Sequence, residues 1–199
     1  MPLRAIFFDL GGVILRTEYQ APREHLAERL NTTYEDLSRI VFESETSRRA
    51  SIGEMTTEAH WEAVTRRLGQ PVSEARTIRD EFYAGDILDA DLLDFIRSLR
   101  PRYKTGVISN AWPDLRPYLM QSKADDAFDA LIISAEVGVM KPKPEIYRLA
   151  LDKVGVTAAE SVFVDDTAVN VEAARELGMR GIVFKEPMRA LHDLKALMK

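Results

Sequence analysis

The sequence predicts an α/β protein with a parallel sheet, because short apolar segments alternate with segments of helical spacing. The clearest apolar segments cover residues 5–8, 105–108 and 161–164, and small or polar residues follow each of them. Nearly continuous apolar strands are typical of parallel sheets, since helices cover both faces of such a sheet. The alternation of strands and helices therefore favours one sheet with right-handed crossover connections.

Weaker strand candidates and three helical patterns complete this arrangement. Residues 131–133 and 181–184 form two further short apolar segments. Apolar residues at helical spacing predict three helices, over about residues 92–99, 146–154 and 169–177. Pro144 suits the first turn of the second helix, where a missing N–H costs nothing. Gly178 suits the position just after the third helix, because glycine readily adopts a left-handed backbone.

A block of helical patterns interrupts the alternation between about residues 17 and 85. Within it, the segment Thr56-Thr57-Glu58-Ala59 resembles a helix N-terminal cap. A series of helices inserted after the first strand indicates a second, smaller domain mounted over one end of the sheet. We therefore expect a helical domain over residues 16–86 and a catalytic core formed by residues 1–15 and 87–199.

Composition limits the classes of function. The 199 residues, 46% of them hydrophobic, are enough for one core with a modest insertion. The net charge of −5 offers no basic surface for nucleic acid, and the lack of cysteine excludes disulfides and thiolate metal sites. No segment approaches the roughly 20 apolar residues of a membrane span, and the first apolar run is too short for a signal peptide. We expect a soluble, cytoplasmic protein without a membrane or nucleic-acid partner; nothing in the sequence indicates its oligomeric state.

Charged and polar side chains follow the three clearest strands. Asp9, Ser109 and the pair Asp165-Asp166 come directly after the apolar segments, and Lys141 stands shortly before a predicted helix. Because ligands bind at the carboxyl ends of parallel strands, these side chains should lie at one edge of the sheet. Each residue alone is more simply a turn residue, a helix cap or a surface charge. Together they favour a site for a hard cation and a phosphate.

Four segments resemble, in the same order, the motifs of the haloacid dehalogenase superfamily. They are residues 7–13, 107–110, 138–147 and 162–170. The helical block matches the position and size of the small helical cap of that family. The resemblance therefore implies a Rossmann-like three-layer α/β core with an inserted cap. The first and fourth motifs are most similar to the branch that contains sugar-phosphate phosphatases and the phosphatase domain of epoxide hydrolases.

The resemblance also implies a mechanism and a cofactor. Asp9 would attack phosphorus and form an aspartyl-phosphate, which water then cleaves. Mg²⁺ would be held by the carboxylates of Asp9 and Asp166 and by the backbone carbonyl of Gly11. The implied substrate is a small phosphorylated metabolite, with sugar phosphates among the candidates.

The remaining motif residues would bind the phosphate or orient its ligands. The resemblance implies that Ser109 and Lys141 hold phosphate oxygens, and that backbone N–H groups after Asp9 and at Asn110 add donors. The residues after Asp9 are Leu10 and Gly11. Asp165 and Asn170 would orient Lys141 and the waters on the metal. A metal and a lysine are needed because an anionic nucleophile otherwise repels an anionic phosphate.

Gly11 departs from the family pattern, because most phosphatases of this superfamily have an acid–base Asp at that position. General acid–base catalysis is typically worth about 10²–10⁴ in rate. Either the substrate has a good leaving group, or another group supplies the proton (Glu18 and Glu45 are weak candidates), or the protein is slow or inert. Two alternatives to a phosphatase follow: a 2-haloacid dehalogenase, and a non-catalytic phosphate-binding domain. Family dehalogenases generally carry Tyr at that position and have a different fourth motif, so we rank dehalogenation lower.

Other polar and aromatic residues are expected to play structural roles. The histidines, His25, His60 and His192, are far from the motifs and are interpreted as surface or helix residues. Trp112 is expected to pack beside the site. Residues 45–53 are expected to lie between two cap helices, where this type of cap often presents specificity residues. Arg48 or Arg49 could contact a polar substrate there, but a solvent-exposed role explains them equally well, and no single cap residue is singled out.

Overall fold

The computed structural model describes residues 1–198 and has the predicted parallel sheet flanked by helices. In this part of the chain the strands are β1 (Ala5–Phe8), β2 (Leu15–Thr17), β3 (Asp86–Leu88), β4 (Lys104–Ser109), β5 (Ala130–Ile133), β6 (Ser161–Asp165) and β7 (Arg180–Val183). The helices are α1 (Ala21–Arg29), α2 (Tyr34–Phe42), α3 (Glu45–Ser51), α4 (Thr57–Arg67), α5 (Ala75–Phe82), α6 (Ala90–Leu99), α7 (Leu115–Gln121), α8 (Ser134–Val137), α9 (Pro144–Val154), α10 (Ala168–Glu176) and α11 (Pro187–Leu197).

The main sheet has five parallel strands in the order β5-β4-β1-β6-β7. Phe8 at the end of β1 pairs with Val107 of β4 and with Val164 of β6. The carboxyl ends of these three strands therefore lie side by side in the middle of the sheet. This arrangement confirms the five predicted strands, including the two weaker candidates.

Alternating side chains of the central strand enter two different apolar clusters. Ile6 and Phe8 pack in one cluster with residues of α6 and α11, whereas Ala5 and Phe7 pack in another with residues of α9 and α10. All four side chains are at most 1% exposed. Because both faces of β1 are covered by helices, the core has the three layers expected from its continuous apolar strands.

Local signals in the sequence mark the helix ends correctly. Thr56 is the N-cap of α4, and its hydroxyl accepts a hydrogen bond from the N–H of Ala59 at 3.1 Å. Pro144 is the first residue of α9. Gly178 has a φ of +98°, a left-handed conformation, and follows the C-cap Leu177 of α10.

Helices α1 to α5 pack around an apolar cluster of their own. Its buried members include Leu26, Leu37, Val41, Trp61, Ile78 and Phe82. Strands β2 and β3 pair in a separate antiparallel ribbon, with Leu15 opposite Leu88, so the chain enters and leaves the helical block side by side. This arrangement supports the domain boundaries at residues 16 and 86, which stay a prediction.

The helical block contacts the sheet side of the molecule at several points. Trp112, which follows β4, belongs to the apolar cluster of the helical block, and its ring centroid is 4.3 Å from that of His60. The hydroxyl of Thr57 donates a hydrogen bond to Asp114 Oδ1 at 2.9 Å. Gly53 lies so close to the carbonyl of Ala135 that a Cβ there would overlap it. The packing role expected for Trp112 is therefore confirmed.

The structure of residues 45–53 differs from the sequence prediction. Residues 45–53 were expected to lie between helices, but Glu45–Ser51 forms α3, which begins after the N-cap Ser44. Its buried residues are small or polar, which is why no apolar periodicity marks it. Among the residues that the structure describes, no helix combines the length and the apolarity needed to cross a bilayer.

Candidate active site

The central strands deliver three polar side chains to one edge of the sheet. Asp9 directly follows β1, and its N–H extends the ladder by donating to the carbonyl of Val164 at 2.8 Å. Ser109 and Asp165 are the last residues of β4 and β6. All three residues are buried, with Asp9 the most accessible at 8% exposure. The sheet register thus brings together the residues that were predicted to meet there.

Lys141 lies between two of these carboxylates. Its Nζ is 2.8 Å from Asp9 Oδ1 and 2.7 Å from Asp165 Oδ2, and its side chain is 1% exposed. Burying three charged groups is costly unless they are paired and hydrogen-bonded. The ammonium group offsets the repulsion between the two carboxylates and is fixed at the edge of the sheet.

The carboxylate of Asp165 is saturated with hydrogen bonds. Its Oδ1 accepts from the N–H of Thr167 at 2.7 Å, and its two oxygens lie 3.2 and 3.1 Å from the amide nitrogen of Asn170. Asn170 is fixed in turn, because the hydroxyl of Tyr147 donates to the backbone carbonyl of Asn170 at 2.9 Å. Asp165 is therefore held in place beside Lys141; its role in orienting Lys141 stays a prediction.

A cluster of carboxylates fits a hard cation. Asp9, Asp165 and Asp166 each offer an oxygen, and these oxygens lie within 4.8 Å of one another. Gly12 has a φ of +76° and approaches Asp166 so closely that a Cβ would overlap its carboxylate. Oxygen ligands suit Mg²⁺. Both oxygens of Asp165 are already engaged, whereas Lys141 and the Leu10 N–H contact the same oxygen of Asp9, Oδ1. Asp9 and Asp166 are therefore the carboxylates best placed to bind the metal.

Burial and mutual repulsion raise the pKa values of two carboxylates in the site. Burial raises the pKa of Asp9 to about 6, an effect that Lys141 partly offsets and Asp165 reinforces. The pKa of Asp166 is also raised, first by burial and then by the neighbouring charge of Asp165. A bound divalent cation would reverse these shifts, because it favours the ionised carboxylates.

The loop after β4 is connected to Lys141 through the side chain of Asn110. The Asn110 amide oxygen accepts from the N–H of Lys141 at 2.7 Å, and its amide nitrogen donates to the Lys141 carbonyl at 3.0 Å. At the other strand end, the N–H of Leu10 donates to Asp9 Oδ1 at 2.7 Å. The Leu10 N–H, expected to bind phosphate, is therefore directed at the carboxylate of Asp9 in this structure.

The position usually held by the general acid is open. Gly11 is exposed, and a Cβ added there would meet no atom within 4 Å. Glu18 and Glu45 are both exposed and paired with arginines, at 2.9 Å from Arg16 and 2.7 Å from Arg48. The hydrogen bond from Arg48 lowers the pKa of Glu45, which argues against Glu45 as the missing proton donor.

The histidines are outside the site, as expected. His25 and His192 are exposed. His60 is in α4, is fully buried, and has its Nδ1 2.9 Å from Thr46 Oγ1. Burial lowers the pKa of His60 to about 4.

Two supporting residues were missed by sequence reasoning. Ser134, the first residue of α8, contacts the backbone of Ala111 through its hydroxyl. Thr167 donates its N–H to Asp165, and its hydroxyl lies 3.1 Å from Asp166 Oδ1. Thr167 belongs to the fourth motif and could have been identified there. A single serine at a strand end carries no comparable signal.

Known proteins are similar to this chain over most of its length. The sequence model of the haloacid dehalogenase-like hydrolase family matches residues 3–178 of this chain and confirms the resemblance carried by the four motifs. Sesquiterpene phosphatase astK of Aspergillus oryzae is 28% identical over 199 residues, which cover 98% of this chain and 96% of that protein. Bifunctional epoxide hydrolase 2 of Rattus norvegicus is 27% identical over 215 residues, which cover 98% of this chain and 39% of the relative.

Among solved structures, the fold is shared with a bacterial enzyme. The HAD family enzyme bt-2542 of Bacteroides thetaiotaomicron, in complex with magnesium and inorganic phosphate, has a TM-score of 0.77 at 20% identity. The match covers 92% of this chain and 96% of that chain. In contrast, this chain spans only about two fifths of the length of the rat epoxide hydrolase.

Proposed function

The chain belongs to the haloacid dehalogenase-like hydrolases, and we propose that it is a magnesium-dependent phosphohydrolase of small phosphorylated metabolites. The observation that carries this proposal is the buried Lys141, held at 2.8 Å from Asp9 and 2.7 Å from Asp165 at the carboxyl edge of the sheet. A fixed cation beside a carboxylate nucleophile is what attack on an anionic phosphorus requires.

In this proposal Asp9 is the nucleophile. Its carboxylate bonds to phosphorus while the bond from phosphorus to the leaving oxygen breaks, and water then cleaves the aspartyl-phosphate to release inorganic phosphate. Lys141 and Ser109 bind the non-bridging oxygens, together with the backbone N–H groups of Gly11 and Asn110. Asp165 and Asn170 keep Lys141 oriented, a role supported by their hydrogen bonds.

The proposed metal ligands are the carboxylates of Asp9 and Asp166 and the backbone carbonyl of Gly11. Mg²⁺ accepts few protein ligands and keeps several waters, so three oxygens are sufficient. When bound, it offsets negative charge on the phosphate. The carboxylate cluster supports this assignment, as does the similar fold of the Bacteroides enzyme that binds magnesium and phosphate.

The open position at Gly11 constrains the substrate. Without a general acid at this position, hydrolysis is favoured for phosphates whose leaving group departs without a proton, such as anomeric or acyl phosphates. A sugar phosphate with an anomeric leaving group satisfies this requirement. The phosphatase relative named for sesquiterpenes makes isoprenoid phosphates a second class to examine.

The two alternatives predict different products. A 2-haloacid dehalogenase would release halide without Mg²⁺, and it would have no use for Asp166 beside the nucleophile. A non-catalytic domain would bind phosphate without turnover. The buried Lys141 between Asp9 and Asp165 favours the phosphohydrolase, because a surface that only bound phosphate would not need a buried carboxylate facing the anion.

A screen of phosphorylated metabolites with and without Mg²⁺ tests the proposal. We expect phosphate release that requires Mg²⁺ and is lost in Asp9→Asn, which removes the charged nucleophile. Asp152→Asn is the matched control, because Asp152 is an exposed residue of α9. Phosphate release that persists in Asp9→Asn would refute the nucleophile assignment. Phosphate binding without turnover would support the non-catalytic alternative, and metal-independent halide release would support the dehalogenase.

A further inference from the structure

The loop after β4 is positioned by contacts on successive residues. It begins with Ser109, a proposed phosphate ligand at the end of the strand. The next residue, Asn110, forms two hydrogen bonds with the backbone of Lys141, at 2.7 and 3.0 Å. Trp112 is buried in the apolar cluster of the helical block. The residue between these two anchors is Ala111, whose side chain can form no hydrogen bond.

Ser134 holds the backbone of Ala111. The N–H of Ala111 donates to Ser134 Oγ at 3.0 Å, and the hydroxyl of Ser134 lies 3.2 Å from the Ala111 carbonyl, to which it donates. One side chain thus occupies both the donor and the acceptor of a single peptide residue. Ser134 is fully buried at the junction of β5 and α8.

The location of Ser134 makes this contact rigid. Ile133, the residue before it, pairs with Ser109 across β4 and β5. Ser134 therefore stands at the same edge of the sheet as the phosphate-binding loop, anchored to a neighbouring strand. A buried N–H that loses its partner destabilises the folded state unless the backbone moves to find another one. Loss of the hydroxyl should therefore shift the loop rather than leave its backbone unpaired.

We propose that Ser134 is a positioning residue that sets the phosphate-binding geometry of Ser109 and Asn110 through the backbone of Ala111. The inference rests on the proposed phosphohydrolase function. Ser134 touches no reacting atom in this proposal; it acts through the loop. A displacement of about 1 Å in a positioned group can cost on the order of 10²-fold in rate.

The test compares Ser134→Ala with Ser161→Ala. Ser161 is a matched control because it is equally buried and donates one hydrogen bond to a carbonyl, that of Ala158 at 2.9 Å. It begins β6, at the opposite edge of the sheet. The measurements are the affinity for inorganic phosphate with Mg²⁺ by calorimetry, kcat and KM for p-nitrophenyl phosphate, and hydrogen–deuterium exchange of residues 109–112.

Ser134→Ala should weaken phosphate binding and lower kcat/KM by about tenfold to a hundredfold. Exchange in residues 109–112 should be faster, whereas Ser161→Ala should leave all three readouts close to wild type. If Ser134→Ala does not fold, Ser134→Cys, with a weaker donor and acceptor of similar size, is judged by the same criteria.

Wild-type phosphate affinity and KM in the Ser134 variant would overturn the inference, and so would equal losses in Ser161→Ala. Failure of the proposed function has a different signature, because the wild-type protein itself would then neither bind nor release phosphate. In that case the positioning role fails together with the function on which it rests.

Discussion

Two adjacent glycines, Gly11 and Gly12, place opposite constraints on the site. Gly12 has a left-handed backbone and lies against Asp166, so a side chain there would displace a proposed metal ligand. Gly11 has open space around its Cβ position. The absence of a carboxylate at residue 11 is therefore not imposed by sterics; the backbone and the space can accommodate one.

Gly11→Asp should add a general acid to the site. We expect an increase in kcat/KM of at least about 10²-fold for an alkyl phosphate, whose leaving alkoxide needs a proton. The rate with p-nitrophenyl phosphate should change little, because its leaving group is already a weak base. Steady-state kinetics with both substrates checks this.

The neighbouring substitution Gly12→Ala serves as the contrast. It should lower activity with both substrates, because its Cβ overlaps the carboxylate of Asp166. An equal gain with both substrates in Gly11→Asp, or no gain with the alkyl phosphate, would count against the missing-acid argument.

His60 links the stability of the helical block to pH. Burial lowers its pKa from 6.5 to about 4, an effect that a hydrogen bond with the backbone of Val41 partly offsets. As pH falls below 6.5, the unfolded chain takes up a proton at this residue while the folded chain does not. The free energy of unfolding therefore decreases between pH 6.5 and 4.

His60 should lower the free energy of unfolding by roughly 3 kcal/mol between pH 6.5 and 4, since each pKa unit corresponds to about 1.4 kcal/mol. Asp9 acts in the opposite direction, because its raised pKa makes the folded state lose stability as pH rises from 3.8 to about 6. Urea unfolding at pH 4.5 and 7.5 should thus show a smaller acid destabilisation in His60→Gln than in wild type. His25→Gln, at an exposed position, should keep the wild-type difference in the free energy of unfolding between the two pH values. The same difference in all three proteins would contradict the role of His60 in acid destabilisation.

Among the strands and helices, the central sheet was predictable because of its composition. β1 and β6 are nearly continuous runs of apolar residues followed by polar ones, and β4 has the shorter pair Val107-Ile108 before Ser109. That pattern predicted both the sheet and the edge where Asp9, Ser109 and Asp165 meet. The site residues at these strand ends could be proposed before any geometry was known. Their contacts could not, because the hydrogen bonds of Asn110 and Ser134 cross between segments far apart in sequence.

Three of the elements that were missed, β2, β3 and α3, lack any periodic signal. β2 and β3 have three residues each, and the buried residues of α3 are Ser47, Ala50 and Ser51. Short or weakly apolar elements like these are stabilised by their tertiary surroundings. For the ribbon, these include the ion pair between Arg23 and Asp86 at 2.8 Å, which connects α1 to β3.

Packing of α3 against α8 depends on the loop that follows α3. There Gly53 has a φ of +76° and touches the carbonyl of Ala135, which is in α8. Gly69, after α4, has a similar φ of +71° but has no atom within 4 Å of its Cβ position. Substitution of either glycine therefore introduces similar backbone strain, but only a side chain at residue 53 would also overlap the carbonyl of Ala135.

Gly53→Ala and Gly69→Ala should both lose about 1–2 kcal/mol of stability from left-handed strain. Only Gly53→Ala should also push the helical block away from α8. We expect faster hydrogen–deuterium exchange at residues 134–137 and a lower kcat/KM in Gly53→Ala alone, as would follow if the helical block acts as a cap that excludes water from the site. Comparable exchange and kinetics in the two variants would contradict a seating role for Gly53.

For the chain as a whole, the edge of the sheet concentrates negative charge that a cation must balance. The net charge of the protein is −5, and three carboxylates converge on the single buried Lys141 at the site. Burial, reinforced by the charge of Asp165, raises the pKa values of Asp9 and Asp166. Without a metal, the folded state pays for the repulsion; with one, the same carboxylates become favourable ligands.

Mg²⁺ should therefore stabilise the folded chain as well as enable turnover. At a free concentration of 100 times Kd, binding adds about 2.7 kcal/mol, which corresponds to a rise in Tm of roughly 5–10 °C. The rise should diminish below about pH 6, because protons then compete with the metal for Asp9. Differential scanning fluorimetry with MgCl₂, against NaCl of equal ionic strength, measures the effect. Asp166→Asn should abolish the rise in Tm and Asp152→Asn should retain it, since of these two residues only Asp166 lies in the carboxylate cluster. A rise in Tm that persists in Asp166→Asn, or that NaCl reproduces, would mean that these carboxylates do not form the metal site.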